Sequence, residues 1–144
     1  MGNIEYHNPT HLILGAGVLS RLGETVSKHG KKALLVTGGG STMDAAKVMA
    51  AGAPYESDPW DTIGHGQANW LIPTRALPII TVPTLAATGS EMNSGAVISN
   101  EETKVKSFVQ ADCLYPKVVL VDPELTLAVP KIRPPAAYAI LSHT

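Results

Sequence analysis

Apolar residues come in short blocks along the chain, and their spacing changes from block to block. Positions 11–14 (His-Leu-Ile-Leu) form a brief block stopped by Gly15, Ala16 and Gly17, which predicts a strand and a turn. From there Val18, Leu19, Leu22 and Val26 mark one face of a helix, with Lys28, His29 and Gly30 suited to its C-terminus. The run 33–36 is continuously apolar, the pattern of a strand covered on both faces. Three glycines follow, then Ser41 and an alanine-rich segment that predicts a helix from 42 to about 51. Between 52 and 76 the pattern dissolves around Pro54, Pro59 and Pro73, so loops are expected there, with one helical turn near 58–63. Apolar blocks return at 78–82, 96–98, 104–108 and 117–121, each read as a strand, the last ended by Asp122 and Pro123. The tail from Pro134 runs apolar to His143 and predicts a helix start. Strands and helices alternate in the first half, which predicts an α/β fold: a largely parallel sheet with a loop- and hairpin-rich second half.

Composition narrows the function classes. The 144 residues suit one ordinary domain with a real core. Eleven basic residues against 12 acidic ones point to no nucleic-acid surface and no basic membrane patch. Cys113 is the single cysteine, so neither a disulfide framework nor a thiol metal cluster is expected, and a reducing, cytoplasmic setting is the default. The N-terminus has no signal-peptide pattern, and the apolar runs fall far short of the roughly 20 residues of a membrane helix. Trp60 and Trp70 read as packing anchors, His65 as an exposed loop residue and Cys113 as a partly buried small side chain.

The candidate chemistry sits in two small-residue loops that follow apolar strands. Strand, glycine turn and helix start place backbone N–H groups and a helix dipole against a phosphate. Ser41 is suited to cap that helix, and Asp44, three residues on, is spaced to reach back to the cap. The same run also reads as a flexible connector followed by a capping box without a ligand. The second loop, 84–90, offers the hydroxyls of Thr84, Thr88 and Ser90 for ribose and phosphate oxygens, or is a surface loop capped by its own hydroxyls. Ligands of open α/β sheets sit beyond the carboxyl ends of strands, so two such loops on one edge would form one cleft. Lys104 or Lys106 could supply a counter-charge, or else form a solvated strand edge. His143 has Ala139 four residues before it, which cannot ligate a metal, so spacing alone makes it a surface group.

Taken together, these residues resemble the metal-dependent, so-called iron-containing alcohol dehydrogenases, in the branch of the butanol dehydrogenases and NADPH-dependent aldehyde reductases. The resemblance runs through Asn8-Pro9-Thr10, Gly15-Ala16-Gly17, the stretch from Gly38 to Lys47, and Asp58-Pro59-Trp60. It continues through Pro83-Thr84, Ala87-Thr88-Gly89-Ser90-Glu91-Met92-Asn93, Glu102 to Lys106, Tyr115-Pro116-Lys117, Asp122-Pro123-Glu124 and Leu141-Ser142-His143. The resemblance implies hydride transfer between NADP or NAD and an alcohol or aldehyde, with Fe2+ or Zn2+ polarising the substrate oxygen. It implies a pyrophosphate site at Gly38, Gly39, Gly40 and Ser41, with Asp44 and Asn93 toward the nicotinamide and substrate. It further implies that Thr84 and Thr88 contact the cofactor, that Lys106 lies near its phosphates, that His143 is a metal ligand, and that a homodimer forms through the N-terminal region.

The departures from that family shape the expectation for this chain. Relatives carry the Gly-Gly-Gly-Ser sequence twice; here it occurs once, with the upstream flank of the first copy and the downstream flank of the second. An internal deletion with its seam at 38–41 is therefore expected. The family's metal pair is Asp-x-x-x-His, and here the aspartate position holds Ala139. Residues 1–133 are expected to form an incomplete dinucleotide-binding domain, and 134–144 the start of the first helix of a metal-binding helical domain otherwise absent. The chain itself is expected to have little or no turnover and to retain no metal. The alternatives are a non-catalytic nucleotide-binding or dimerisation module, and a gene fragment.

Overall fold

The computed structural model describes residues 7–34, 39–64, 70–85 and 88–127. The described chain is α/β, as expected. Strand β1 (His11–Leu14) follows an Asn8 whose Oδ1 accepts from the Thr10 N–H, and it leads through a 3-10 turn, Val18–Arg21, into the short helix α1 (Leu22–Ser27). Helix α2 (Gly40–Gly52) is the longest element among the described residues. Strand β2 (Ile80–Thr81), the hairpin β3 (Gly95–Ser99) and β4 (Lys106–Gln110), and β5 (Val118–Val121) complete the fold.

Three strands form a parallel sheet in the order β1-β5-β2, with His11 opposite Val118 and Ile80 opposite the same residue on the other side. β5 is central and all apolar because both its edges and both its faces are covered. β2 keeps only two of the five residues expected at 78–82. Pro78 and Pro83 bracket it, and a proline has no N–H to give a ladder. The second half contains an antiparallel hairpin, Gly95 opposite Gln110 through Ser99 opposite Lys106. Asn100 makes its turn by accepting the N–H groups of Glu102 and Thr103 on Oδ1.

Three expectations need correction. Ala33 and Leu34 are not in a strand, and Leu34 is exposed; the rest of the run 33–36 lies outside the described residues. Helix α2 begins at Gly40 rather than 42, because Gly39 takes the extended conformation that a cap requires. Ser41 therefore sits inside the first turn and does not cap, and no side chain does. His65, the seam residue Gly38 and the tail with His143 lie outside the described residues.

The core forms where α2 meets the hairpin. Val48, Ala50 and Ala51 of α2 pack with Ala96 of β3, Val109 of β4, Ile63, Ile79, Ala111 and Leu114. Trp60 and Cys113 pack against this cluster, as expected for an anchor and a small buried side chain. Small residues on α2 allow close approach. At Gly52 a Cβ would stand 2.8 Å from Pro59 Cβ, so the helix end seats directly on the 3-10 turn Pro59–Thr62. That turn is capped by Asp58, whose carboxylate accepts from the Trp60 N–H at 2.9 Å.

Candidate functional site

The N-terminus of α2, the 88–95 segment and the hairpin enclose one open groove of about 670 Å³. Ser41, Asp44, Thr88, Asn93 and Lys106 line it together with Ser90 and an apolar wall that includes Val97, Ile98 and Phe108. Two loops expected to share a cleft therefore do so. Their contact is close: a Cβ on Gly40 would lie 2.6 Å from Thr88 Oγ1 and 3.0 Å from Thr88 Cγ2. Only a residue without a side chain lets the helix start approach Thr88 in this way. Thr84, grouped with Thr88 in the sequence, is exposed and does not line the groove. Lys106 opens β4 at the groove and is exposed; Lys104 sits in the hairpin turn with a φ of 57°.

Two side chains of α2 hold the groove wall. Asp44 does not turn back to the helix start. Its Oδ1 accepts from Ser90 Oγ at 2.6 Å and its Oδ2 from the Val97 N–H at 3.0 Å. The Ser90 hydroxyl, expected to face a ligand, is buried and committed to Asp44. Lys47, one helical turn on, is fully buried. Its Nζ donates to the Asn93 carbonyl at 2.7 Å, to Asn93 Oδ1 at 2.9 Å and to the Gly95 carbonyl at 2.8 Å. Burial pushes the Lys47 ammonium down from its ordinary 10.5 to about 8, against the opposing pull of Asp44 and Glu91. Sequence reasoning passed over Lys47. The available signal was a charged residue among Ala45, Ala46, Val48 and Ala50 in an otherwise small and apolar helix.

A separate anchor ties the sheet to the N-terminal turn. Asp122 accepts from the Leu19 N–H on Oδ2 and from the Glu124 N–H on Oδ1. Burial alone would raise this carboxyl, but the backbone donors of Leu19, Glu124 and Gly17 outweigh it and hold the carboxyl below the usual range. Asn8 Nδ2 donates to the Met92 carbonyl at 2.8 Å and so joins the start of the chain to the groove segment.

A resident cofactor must fit what is present. For a nucleotide the groove has the first turn of a helix without a side-chain cap, hydroxyls at Ser41 and Thr88, a lysine and an apolar wall, and this set fits a phosphorylated, ring-bearing ligand. For a divalent metal, no three of His, Cys, Asp and Glu converge among the described residues. Likewise, among the described residues, no helix is long and apolar enough to cross a membrane.

Comparison with known proteins gives a consistent picture. The chain is 46% identical over 112 residues to NADH-dependent butanol dehydrogenase A of Clostridium acetobutylicum, covering 77% of this chain and 28% of that protein. It is 34% identical to probable NADH-dependent butanol dehydrogenase 1 of Bacillus subtilis, covering 91% of this chain and 48% of the relative. That alignment runs over 189 positions, more than the 144 residues of the chain, so the relative carries residues within the matched span that have no counterpart here. Among solved structures, NADH-dependent butanol dehydrogenase A of Thermotoga maritima superposes with a TM-score of 0.75 at 32% identity, covering 91% of this chain and 47% of that one. The chain thus spans about half or less of the length of these relatives, in their Rossmann-like region. The family profile itself matches residues 37–123, the stretch that builds α2, the groove and the sheet's central strand, and the chain belongs to the iron-containing alcohol dehydrogenase family.

Proposed function

We propose that this chain is the nucleotide-binding part of an NAD(P)H-dependent alcohol or aldehyde oxidoreductase, and that the 144-residue chain alone binds the nucleotide without turning over substrate. The observation that carries the reading is the shared groove, in which the glycine start of α2 meets Thr88 across from Lys106. When bound, a nicotinamide nucleotide supplies the hydride donor or acceptor for an alcohol–aldehyde pair. The chain's own residues bind and orient it. The helix N-terminus at Gly39, Gly40 and Ser41 faces phosphate charge, Lys106 offsets more of it, and Asn93 offers a polar contact. Val97, Ile98 and Phe108 form an apolar side that excludes water from a stacked ring. Among the described residues no donor set for a metal comes together. The extra residues carried by the Bacillus relative support an internal deletion, and we place its seam at 38–41.

Isothermal calorimetry with NADH and NADPH tests this reading. Saturable heat with either nucleotide is expected, and none at millimolar concentration overturns it. Adding iron or zinc and butanal to the same sample tests the absence of turnover, and steady nucleotide oxidation would replace the binding-only reading with an enzymatic one. A second reading, a dimerisation module, is favoured by the apolar residues Leu12 and Leu14 exposed on the edge strand β1. Under it the chain forms homodimers while nucleotide binding is absent. The gene-fragment reading is tested by sequencing the transcript for the missing stretch.

A further inference from the structure

The hydrogen-bond arrangement around Lys47 decides more than the position of a loop. Asn93 lines the groove, and a side-chain amide can present either an acceptor oxygen or a donor NH2 to a ligand. Here the oxygen end is taken twice: Asn93 Oδ1 accepts from Lys47 Nζ at 2.9 Å and from the Gly95 N–H at 3.0 Å. Both bonds require the oxygen at that end, because neither lysine Nζ nor a backbone N–H can accept from an amide NH2 in the ammonium state. We infer that Lys47 is a positioning residue that locks the Asn93 amide in one orientation, so that the groove displays the amide NH2, a hydrogen-bond donor, and selects ligands that bring an acceptor oxygen there. A carboxamide carbonyl, a ribose hydroxyl or a phosphate oxygen meets that demand; an N–H donor does not. That this acceptor belongs to a nicotinamide nucleotide rests on the function proposed above.

The arrangement also makes the lock sensitive to protonation. An ammonium has three N–H bonds, and Lys47 meets three acceptors: the Asn93 carbonyl, Asn93 Oδ1 and the Gly95 carbonyl. A neutral amine has only two donors, so losing the proton leaves one of the three acceptors unserved. The charged groups whose fields reach Lys47 are Asp44 on its own helix and Glu91 on the 3-10 turn Ser90–Met92, and both favour the ammonium. Burial opposes them and brings the midpoint near 8, within reach of an ordinary titration.

The test follows the Asn93 side-chain carbonyl carbon by NMR from pH 6.5 to 10, in the full chain without added nucleotide. A shift with a midpoint near 8 is expected in the natural chain. In Lys47→Arg, whose guanidinium keeps its charge over this range, the signal is expected to stay flat. A signal that does not move in the natural chain, or that moves equally in Lys47→Arg, overturns the inference. Because the pH series on the natural chain needs no substitution, a poorly folding variant does not remove the test. A parallel NADH titration is expected to weaken about tenfold between pH 7 and 9.5 in the natural chain and to change little in Lys47→Arg. Unchanged affinity over that range, with the Asn93 signal titrating, would show that the donor plays no part in selecting the nucleotide and overturn that half of the inference. Absence of NADH binding at every pH would instead sink the proposed function, while the NMR series still decides the role of Lys47.

Discussion

Gly40 has no room for a side chain where the start of α2 meets Thr88 at the groove. Gly40→Ala would drive a Cβ to 2.6 Å from Thr88 Oγ1 and 3.0 Å from Thr88 Cγ2, so the branched side chain must shift. We predict a loss of about 1–3 kcal/mol in chemical denaturation and weaker nucleotide binding. Adding Thr88→Ala to the same chain should restore much of the stability, since the atoms nearest the new Cβ are then gone; full additivity of the two changes would show the contact to be unimportant. Asp44→Ala strands the Ser90 hydroxyl and the Val97 N–H, and should cost about 1–3 kcal/mol in urea unfolding. Lys47 gives a pH signature with a definite sign. Its folded-state value of about 8 lies below its ordinary 10.5, so between those limits the unfolded chain holds more protons. Stability therefore gains with rising pH across that window, even as the Asn93 anchor weakens. Comparing thermal melts of the natural chain and Lys47→Met from pH 7 to 10.5 checks this; parallel curves would mean that Lys47 contributes no linkage. That Ser41, Thr88, Asn93 and Lys106 belong together was legible, the first two from strand-and-loop order and the last two from the family resemblance, and the four line one groove. Lys47 and the redirected Asp44 were not legible, since their partners lie 46 to 53 residues away.

Among the elements, α2 bears the most structure. It contributes to the core, frames the groove with its first turn, and seats its last residue on Pro59. Gly52→Ala would set a Cβ 2.8 Å from a rigid proline ring. The added methyl favours the helix by about 1 kcal/mol in isolation. We predict net destabilisation nonetheless, because the ring cannot rotate away, and a raised melting temperature would contradict this. Apolar spacing located β1, the α1 region, the hairpin and β5 to within a residue or two, since each is a short periodic block with a clear stop. It failed at 33–34, where a continuous apolar run looks the same whether or not a neighbouring strand exists to pair with it.

At the scale of the whole molecule, the parallel sheet of the described residues has three strands and leaves apolar residues in solvent. Leu12 and Leu14 of the edge strand β1 are 47% and 60% exposed, and Leu34 is 76% exposed. Such an edge with apolar neighbours promotes association between copies. We predict concentration-dependent association in size exclusion with light scattering, suppressed by Leu14→Lys; a monomer at every concentration would refute it. The internal deletion proposed above would account for this exposure, since a sheet that loses elements is left with uncovered edges and faces. Residue order alone was enough to establish the α/β class, the turn-rich second half and the family, because local periodicity, turn chemistry and contiguous motifs are properties of neighbouring residues. It could not determine that β5 lies between β1 and β2, that Gly40 touches Thr88, or that Lys47 orients Asn93. Those depend on which distant segments are brought within a few ångströms of each other, which no local run of residues specifies.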